Sequence, residues 1–141
     1  LSDKVLNNNT PLLGICLGAQ MLTKSSEEGK EPGLGWINGT TIKFDKSKLS
    51  KKLKIPHMGW TDVTIEKPSK LFTNMDSVSR FYFVHSYHMK LDRVEDELNR
   101  STYGYSFVSG FEDKNIIGVQ FHPEKSHKYG MNLLKNFVEY Y

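Results

Sequence analysis

Apolar positions along the chain follow two periods, one for strands and one for helices. The run Leu12-Leu-Gly-Ile15, after Pro11, is apolar without alternation, the pattern of a strand buried on both faces. Thr40-Thr-Ile-Lys-Phe44 and Asp62-Val-Thr-Ile-Glu66 alternate and predict half-buried strands. Arg80-Phe-Tyr-Phe-Val-His85, Tyr105-Ser-Phe-Val-Ser109 and Ile116-Ile-Gly-Val-Gln-Phe121 read as three further strands. Leu1, Val5 and Leu6 look like the last turns of an amphipathic helix that stops at Asn7-Asn-Asn9. A second helix starts at Ala19 and is ended by Glu27-Glu-Gly29, and Ser69–Phe72 suggests a helical turn. The closing segment carries Met131, Leu134, Phe137 and Tyr141 at helical spacing, with Lys128, Lys135 and Glu139 on other faces. Ile55-Pro-His-Met-Gly-Trp60 predicts irregular backbone, because Pro and Gly stand so close together. These elements make an α/β chain.

The 141 residues are enough for one domain with a real core. A central strand needs a neighbour on each side, and little precedes Leu12 to supply one. Residues 1–141 are therefore expected to be the C-terminal portion of a domain that starts upstream. Hydrophobic content of 38% and charged content of 25% fit an ordinary globular protein. The net charge of +3 is small, and the Lys46–Lys54 cluster reads as a solvated loop, with an acidic or phosphorylated partner as the alternative. No window approaches the roughly 18 apolar residues of a membrane span, and Leu1–Asn9 does not read as a signal peptide. A single cysteine forms no internal disulfide, which points to the reducing cytoplasm.

That cysteine carries the chemistry. In Gly14-Ile-Cys-Leu-Gly18 it sits where a strand turns into a helix, and the flanking Gly14 and Gly18 are expected to relieve crowding at the turn. The position would expose Cys16 and lower its pKa from about 8.5 through the helix N-terminus. The backbone N–H of Leu17 would then face an oxyanion formed on an attacked carbonyl. The plainer reading makes Cys16 a small buried apolar residue. His122 and Glu124, on one side of an extended segment that Pro123 ends, weigh against it. In a parallel sheet the C-terminal strand ends share one edge, so the two segments can converge there. His122 would act as the base, with Glu124 fixing its tautomer. Alone, a His-x-Glu would be taken for a surface feature.

Gly14-Ile-Cys-Leu-Gly-Ala-Gln20 and Gly118-Val-Gln-Phe-His-Pro-Glu-Lys125 resemble the two signature blocks of the class I (triad-type) glutamine amidotransferases. More narrowly, the chain is similar to the glutaminase subunits of imidazole glycerol phosphate synthase. Ser26-Glu-Glu-Gly29, Gly33-Leu-Gly35, Ile55–Trp60, Tyr82–Tyr87 and Leu133–Phe137 support this in the family's order. The resemblance implies a flavodoxin-like, mostly parallel sheet flanked by helices, here without its N-terminal strands and without the glycine-rich loop that gives the second oxyanion N–H. It implies hydrolysis of L-glutamine through a thioester on Cys16, with Cys16, His122 and Glu124 catalytic and no cofactor or metal. Ammonia would pass to a (β/α)8-barrel cyclase making imidazole glycerol phosphate in histidine biosynthesis, with no nucleic acid or membrane partner. Gln20, His85, Ser86 and Tyr87 would hold the substrate, although Gln20 could face solvent and Tyr87 could be edge packing. His57, Met58 and Trp60 would lie at the partner interface, with Trp60 as core the alternative. His88 and His127 read as surface residues.

Thr61 stands where the family usually has Asn, and Ser126–Gly130 and His88 resemble relatives from surface-glycan pathways. The same glutaminase chemistry would there supply a sugar-modifying amidotransferase. A catalytically silent interaction module and a free-standing cysteine hydrolase such as a γ-glutamyl peptidase are the remaining readings. The presence of Cys16, His122 and Glu124 together weighs against the first, and the His57–Trp60 block against the second.

Overall fold

The computed structural model describes residues 1–141. Eight strands are present: β1 (Leu12–Ile15), β2 (Gly39–Lys43), β3 (His57–Ile65), β4 (Val78–His85), β5 (Tyr87–Leu91), β6 (Glu97–Tyr103), β7 (Tyr105–Asp113) and β8 (Ile116–Val119). Two α-helices join them, α1 (Leu17–Met21) and α2 (His127–Tyr140), and Asp3–Asn7 forms one turn of π-helix. The sheet runs β1-β8-β7-β6-β3-β4, with β5 attached to β7 and β2 to β5. No helix is long and apolar enough to cross a membrane.

The α/β class stands, but the expected predominance of parallel pairing does not hold within these residues. Only β1 and β8 pair in parallel among the strands, and the other pairings are antiparallel. Parallel neighbours need a long crossover, usually a helix, whereas successive strands here turn back through tight connections. Gly104, at φ +74°, closes the β6–β7 hairpin, and Lys114, at φ +56°, lies in the β7–β8 turn. The sheet is accordingly flanked by few helices.

Other local expectations shift for identifiable reasons. The helix foreseen from Ala19 to Glu27 stops at Met21, because the chain beyond it pairs with β2 instead. Lys24 N donates to Gly39 O at 2.9 Å and Glu27 N to Thr41 O at 3.0 Å. His57–Trp60 is regular strand, with Pro56 just before it and Gly59 absorbing φ +134° inside it. β5 and β6 escape the sequence pattern because their buried residues are largely polar: His88, Asn99 and Ser101. β1 is the sheet edge, and Leu12, Leu13 and Ile15 are only half-buried.

One core cluster gathers Phe81, Phe83, Phe107, Phe121, Ile117, Val119 and Leu133. Phe81 and Phe121 stack at 4.0 Å between ring centroids. α2 anchors there through Leu133, while Met131, expected on the apolar face, is exposed. Asn136 ties α2 to the Lys70–Phe72 turn by donating to Leu71 O at 3.0 Å and Thr73 O at 2.8 Å. A second cluster, with Val5, Ala19, Leu22, Ile37, Met89, Phe111 and Ile116, fills the space between α1 and the sheet.

Candidate active site

The register of β1 on β8 builds the site. Ile15 lies opposite Val119, so the two parallel strands end together. Cys16 N extends the ladder by one bond to Val119 O at 2.8 Å, and the chain then reverses into α1. The reversal puts Cys16 at φ +50°, ψ −111°, a conformation costing a non-glycine residue about 1–3 kcal/mol. Gly14 makes it possible: a Cβ there would sit 2.9 Å from the Ala19 backbone. Gly18 has open space around it, so the expected relief of crowding belongs to Gly14 alone.

Cys16 is partly exposed. Its Sγ lies 3.9 Å from Val84 O and 3.6 Å from Gln120 Nε2. Burial pushes the thiol pKa up, and the Leu17 N–H and the Gln120 amide only partly offset that, while Glu124 and Glu28 add to the rise. The expected lowering at the helix start is thus overridden by desolvation. A neutral thiol at rest needs a base to ionise it.

His122 follows β8 and is held from both sides of its backbone. Its N–H donates to Tyr82 O at 2.9 Å, and its carbonyl accepts from Ser126 Oγ at 2.6 Å. Ser126 in turn accepts from Tyr82 N at 2.9 Å. His122 Nδ1 lies 2.6 Å from Glu124 Oε1, an orientation that leaves Nε2 as the working nitrogen. The sulfur and the imidazole both follow strands of the one parallel pair, so they leave the sheet at the same end, with no direct hydrogen bond between them.

Gln20 does not face solvent. It is 6% exposed, and its Nε2 donates to Tyr87 O at 3.2 Å and to Gln120 Oε1 at 3.1 Å. His85 is turned into the core, where its Nδ1 faces Tyr87 O at 2.7 Å and its Nε2 faces His57 Nδ1 at 2.9 Å. Both ring nitrogens are therefore committed internally. Ser86 and Tyr87 are half-buried at the turn between β4 and β5.

His57 is 2% exposed, packed between Phe83 and Tyr103, with Nε2 at 2.7 Å from Thr61 Oγ1. Strand alternation explains the split within its block: His57 points inward, while Met58 is 61% and Trp60 40% exposed. His57 is thus core and not interface. Trp60 stacks on the exposed His127, with ring planes 13° apart. His88, expected at the surface, is buried beside Phe44 and Phe107, with Nε2 at 2.8 Å from Tyr105 Oη. Burial lowers the pKa of all three inward histidines, His57 to about 4 and His85 to about 3.

Sequence reasoning missed Gln120 and Ser126. Gln120 stands inside the motif that yielded His122 and Ser126 directly follows it, but only contacts with Cys16, Gln20 and Tyr82 give them a role.

A sequence model of the family described as glutamine amidotransferase class-I matches residues 1–140. The chain is 52% identical over 139 residues to imidazole glycerol phosphate synthase subunit HisH 2 of Methanococcus maripaludis, covering 99% of this chain and 67% of that relative. It is 45% identical to the HisH 2 subunit of Pseudomonas aeruginosa, with the same coverage. Among solved structures, a putative GMP synthase component from Thermoplasma acidophilum superposes with a TM-score of 0.67 at 24% identity, over 94% of this chain and 57% of that one. A Thermotoga maritima glutamine amidotransferase gives 0.63 at 22% identity, over 97% of this chain and 50% of that one. The chain thus spans about two thirds of these curated relatives and little more than half of the solved chains.

Proposed function

Because the chain belongs to the class-I glutamine amidotransferase family, we propose that it is the glutaminase component of an imidazole glycerol phosphate synthase, cleaving L-glutamine to glutamate and ammonia for histidine biosynthesis. The observation that carries this reading is Cys16, held at φ +50° where β1 ends, with the hydrogen-bonded His122–Glu124 pair following β8, the strand paired in parallel with β1. Identity of 43–52% to several subunits named HisH, over nearly the whole chain, supports the acceptor pathway.

The chemistry follows from the committed contacts. Glu124 accepts the Nδ1 proton of His122, so Nε2 takes the proton from the Cys16 thiol as the sulfur attacks the γ-carbonyl of glutamine. The oxyanion forms near the Leu17 N–H. Collapse of the tetrahedral adduct breaks the C–N bond, and His122 returns its proton to the departing ammonia. Water, deprotonated by the same imidazole, then cleaves the thioester and frees glutamate and the thiol. Gln20 donates from Nε2 only, which leaves its Oε1 to accept from the substrate's α-ammonium group. Ser86 and Tyr87 frame the same end of the sheet through their backbone.

The partner in this reading is a (β/α)8-barrel cyclase that receives the ammonia. Met58 and Trp60 supply the exposed apolar anchors for it on β3. Thr61 gives no sign of a different partner, because its hydroxyl is turned inward to His57. A free thiol needed for catalysis fits a reducing cytoplasm.

The test is covalent labelling of the full-length protein with a glutamine-mimicking diazoketone, followed by mass spectrometry. The expected result is one adduct, on Cys16, suppressed by excess glutamine. Glutaminase turnover should rise on adding the cyclase and stay unchanged with a sugar-modifying amidotransferase. No adduct, or an adduct that glutamine fails to suppress, would count against the enzyme.

A further inference from the structure

Gln120 is fully buried, immediately after β8, with its backbone N–H fixed to Ser109 O of β7 at 2.9 Å. A sealed carboxamide must satisfy both its donor and its acceptor end. Its acceptor end takes Gln20 Nε2 at 3.1 Å, and its donor end faces Cys16 Sγ at 3.6 Å.

Which end faces the sulfur is fixed from a distance. Tyr87 O is a carbonyl and only accepts, so His85 carries its proton on Nδ1, and Gln20 must turn its NH2 toward the same oxygen. The second hydrogen of that NH2 reaches Gln120, which must then present Oε1 to it. Gln120 Nε2 is left pointing at the sulfur. Farther out, His85 Nε2 accepts from His57 Nδ1, and His57 Nε2 accepts from the Thr61 hydroxyl. Two donor chains thus meet at Tyr87 O, one running in from Thr61 through His57 and His85, the other fixing the amide of Gln20 and through it that of Gln120.

We infer that Gln120 is a positioning residue for the nucleophile, its amide holding the Cys16 sulfur in place and favouring the ionised form that attacks. The inference rests on Cys16 being the nucleophile of the proposed reaction. An N–H donor bonds a thiolate far more strongly than a neutral thiol, so the contact strengthens as the sulfur ionises. The other groups around the sulfur divide. Leu17 N–H, from α1, acts in the same direction as Gln120. Val84 O, from β4, accepts from the neutral thiol, and the negative charges of Glu124 beyond β8 and Glu28 beyond α1 oppose ionisation. His122 is the proton acceptor. Gln120 is the one side-chain amide donor in the set.

A filler that merely links β8 to α1 would affect stability and leave the thiol's titration alone. In the full-length protein, Gln120→Met keeps the volume and removes the donor. Alkylation of Cys16 by iodoacetamide should then slow about tenfold at neutral pH, with the midpoint of its pH profile moved up by about one unit. An unmoved profile in a folded Gln120→Met protein overturns the inference. Should that variant not fold, the unsubstituted protein decides, labelled with 15N in its glutamine side chains. The Gln120 amide resonance should shift as the thiol titrates and stay still in Cys16→Ser, and a resonance silent through the titration overturns the inference. A moved alkylation profile in a protein without glutaminase activity would sink the proposed function and leave Gln120's role standing. Activity with an unmoved profile would do the reverse.

Discussion

His57 Nδ1 and His85 Nε2 lie 2.9 Å apart in a pocket of aromatic rings, one ring donating to the other. Both stay neutral at physiological pH because burial holds His57 at about 4 and His85 at about 3. In the unfolded chain each would titrate near the ordinary value of 6.5. Between these limits the unfolded state binds more protons than the folded one, so stability rises with pH. It should be full above about pH 7 and fall steadily as pH drops from about 6.5 toward 3. At pH 5.5 each histidine should cost about 1 kcal/mol relative to neutral pH. Urea melts of the full-length protein at several pH values check this. A His57→Asn, His85→Asn double variant with an unchanged slope would remove the histidines as the cause.

Gly118 gives the clearest packing prediction. A Cβ there would lie 2.2 Å from the Phe111 ring, inside the β7–β8 pair. Gly118→Ala should cost about 1–3 kcal/mol, and Phe111→Leu in the same chain should recover part of it. Thermal melts of the single and double variants would show whether the two positions couple. Strictly additive losses would contradict the contact.

Cys16 holds a backbone angle that suits glycine better than any side chain. Cys16→Gly should therefore melt at a higher temperature than Cys16→Ala, by the equivalent of about 1 kcal/mol, although both delete the sulfur. Equal melting temperatures would mean that the turn is unstrained.

Glu124 acts through His122, and its neutral replacement separates charge from shape. Glu124→Gln should keep the fold, since the carboxylate is half exposed, yet lower glutaminase kcat by about a hundredfold or more. Labelling by the diazoketone should slow in parallel, because the same imidazole ionises the thiol. Unchanged kcat would remove Glu124 from the catalytic set.

The nucleophile's turn and the His-x-Glu were legible because each is a local pattern: glycine before a cysteine at the end of an apolar run, and a histidine and a glutamate flanking a proline just beyond another such run. The inward histidines were not legible. His57 follows Pro56 and stands two residues before Gly59, so its block looked irregular, yet β4 pairs with it from His57↔His85 to Thr64↔Val78 and makes it strand. Strand alternation then sends His57 into the core and Met58 and Trp60 outward, a division the sequence block does not display. Gln120 likewise read as one residue of an apolar strand until β1 brought Cys16 beside it.

By itself the sequence determined what is written in consecutive residues: the alternation that makes strands, the spacing that makes α2, and the chemistry of one thiol, one imidazole and one carboxylate. Only the tertiary structure decided which strands run parallel, which histidines lose their water, and which amide faces the sulfur. Those outcomes depend on partners far apart in the chain, and desolvation and hydrogen-bond direction exist only once the partners have met.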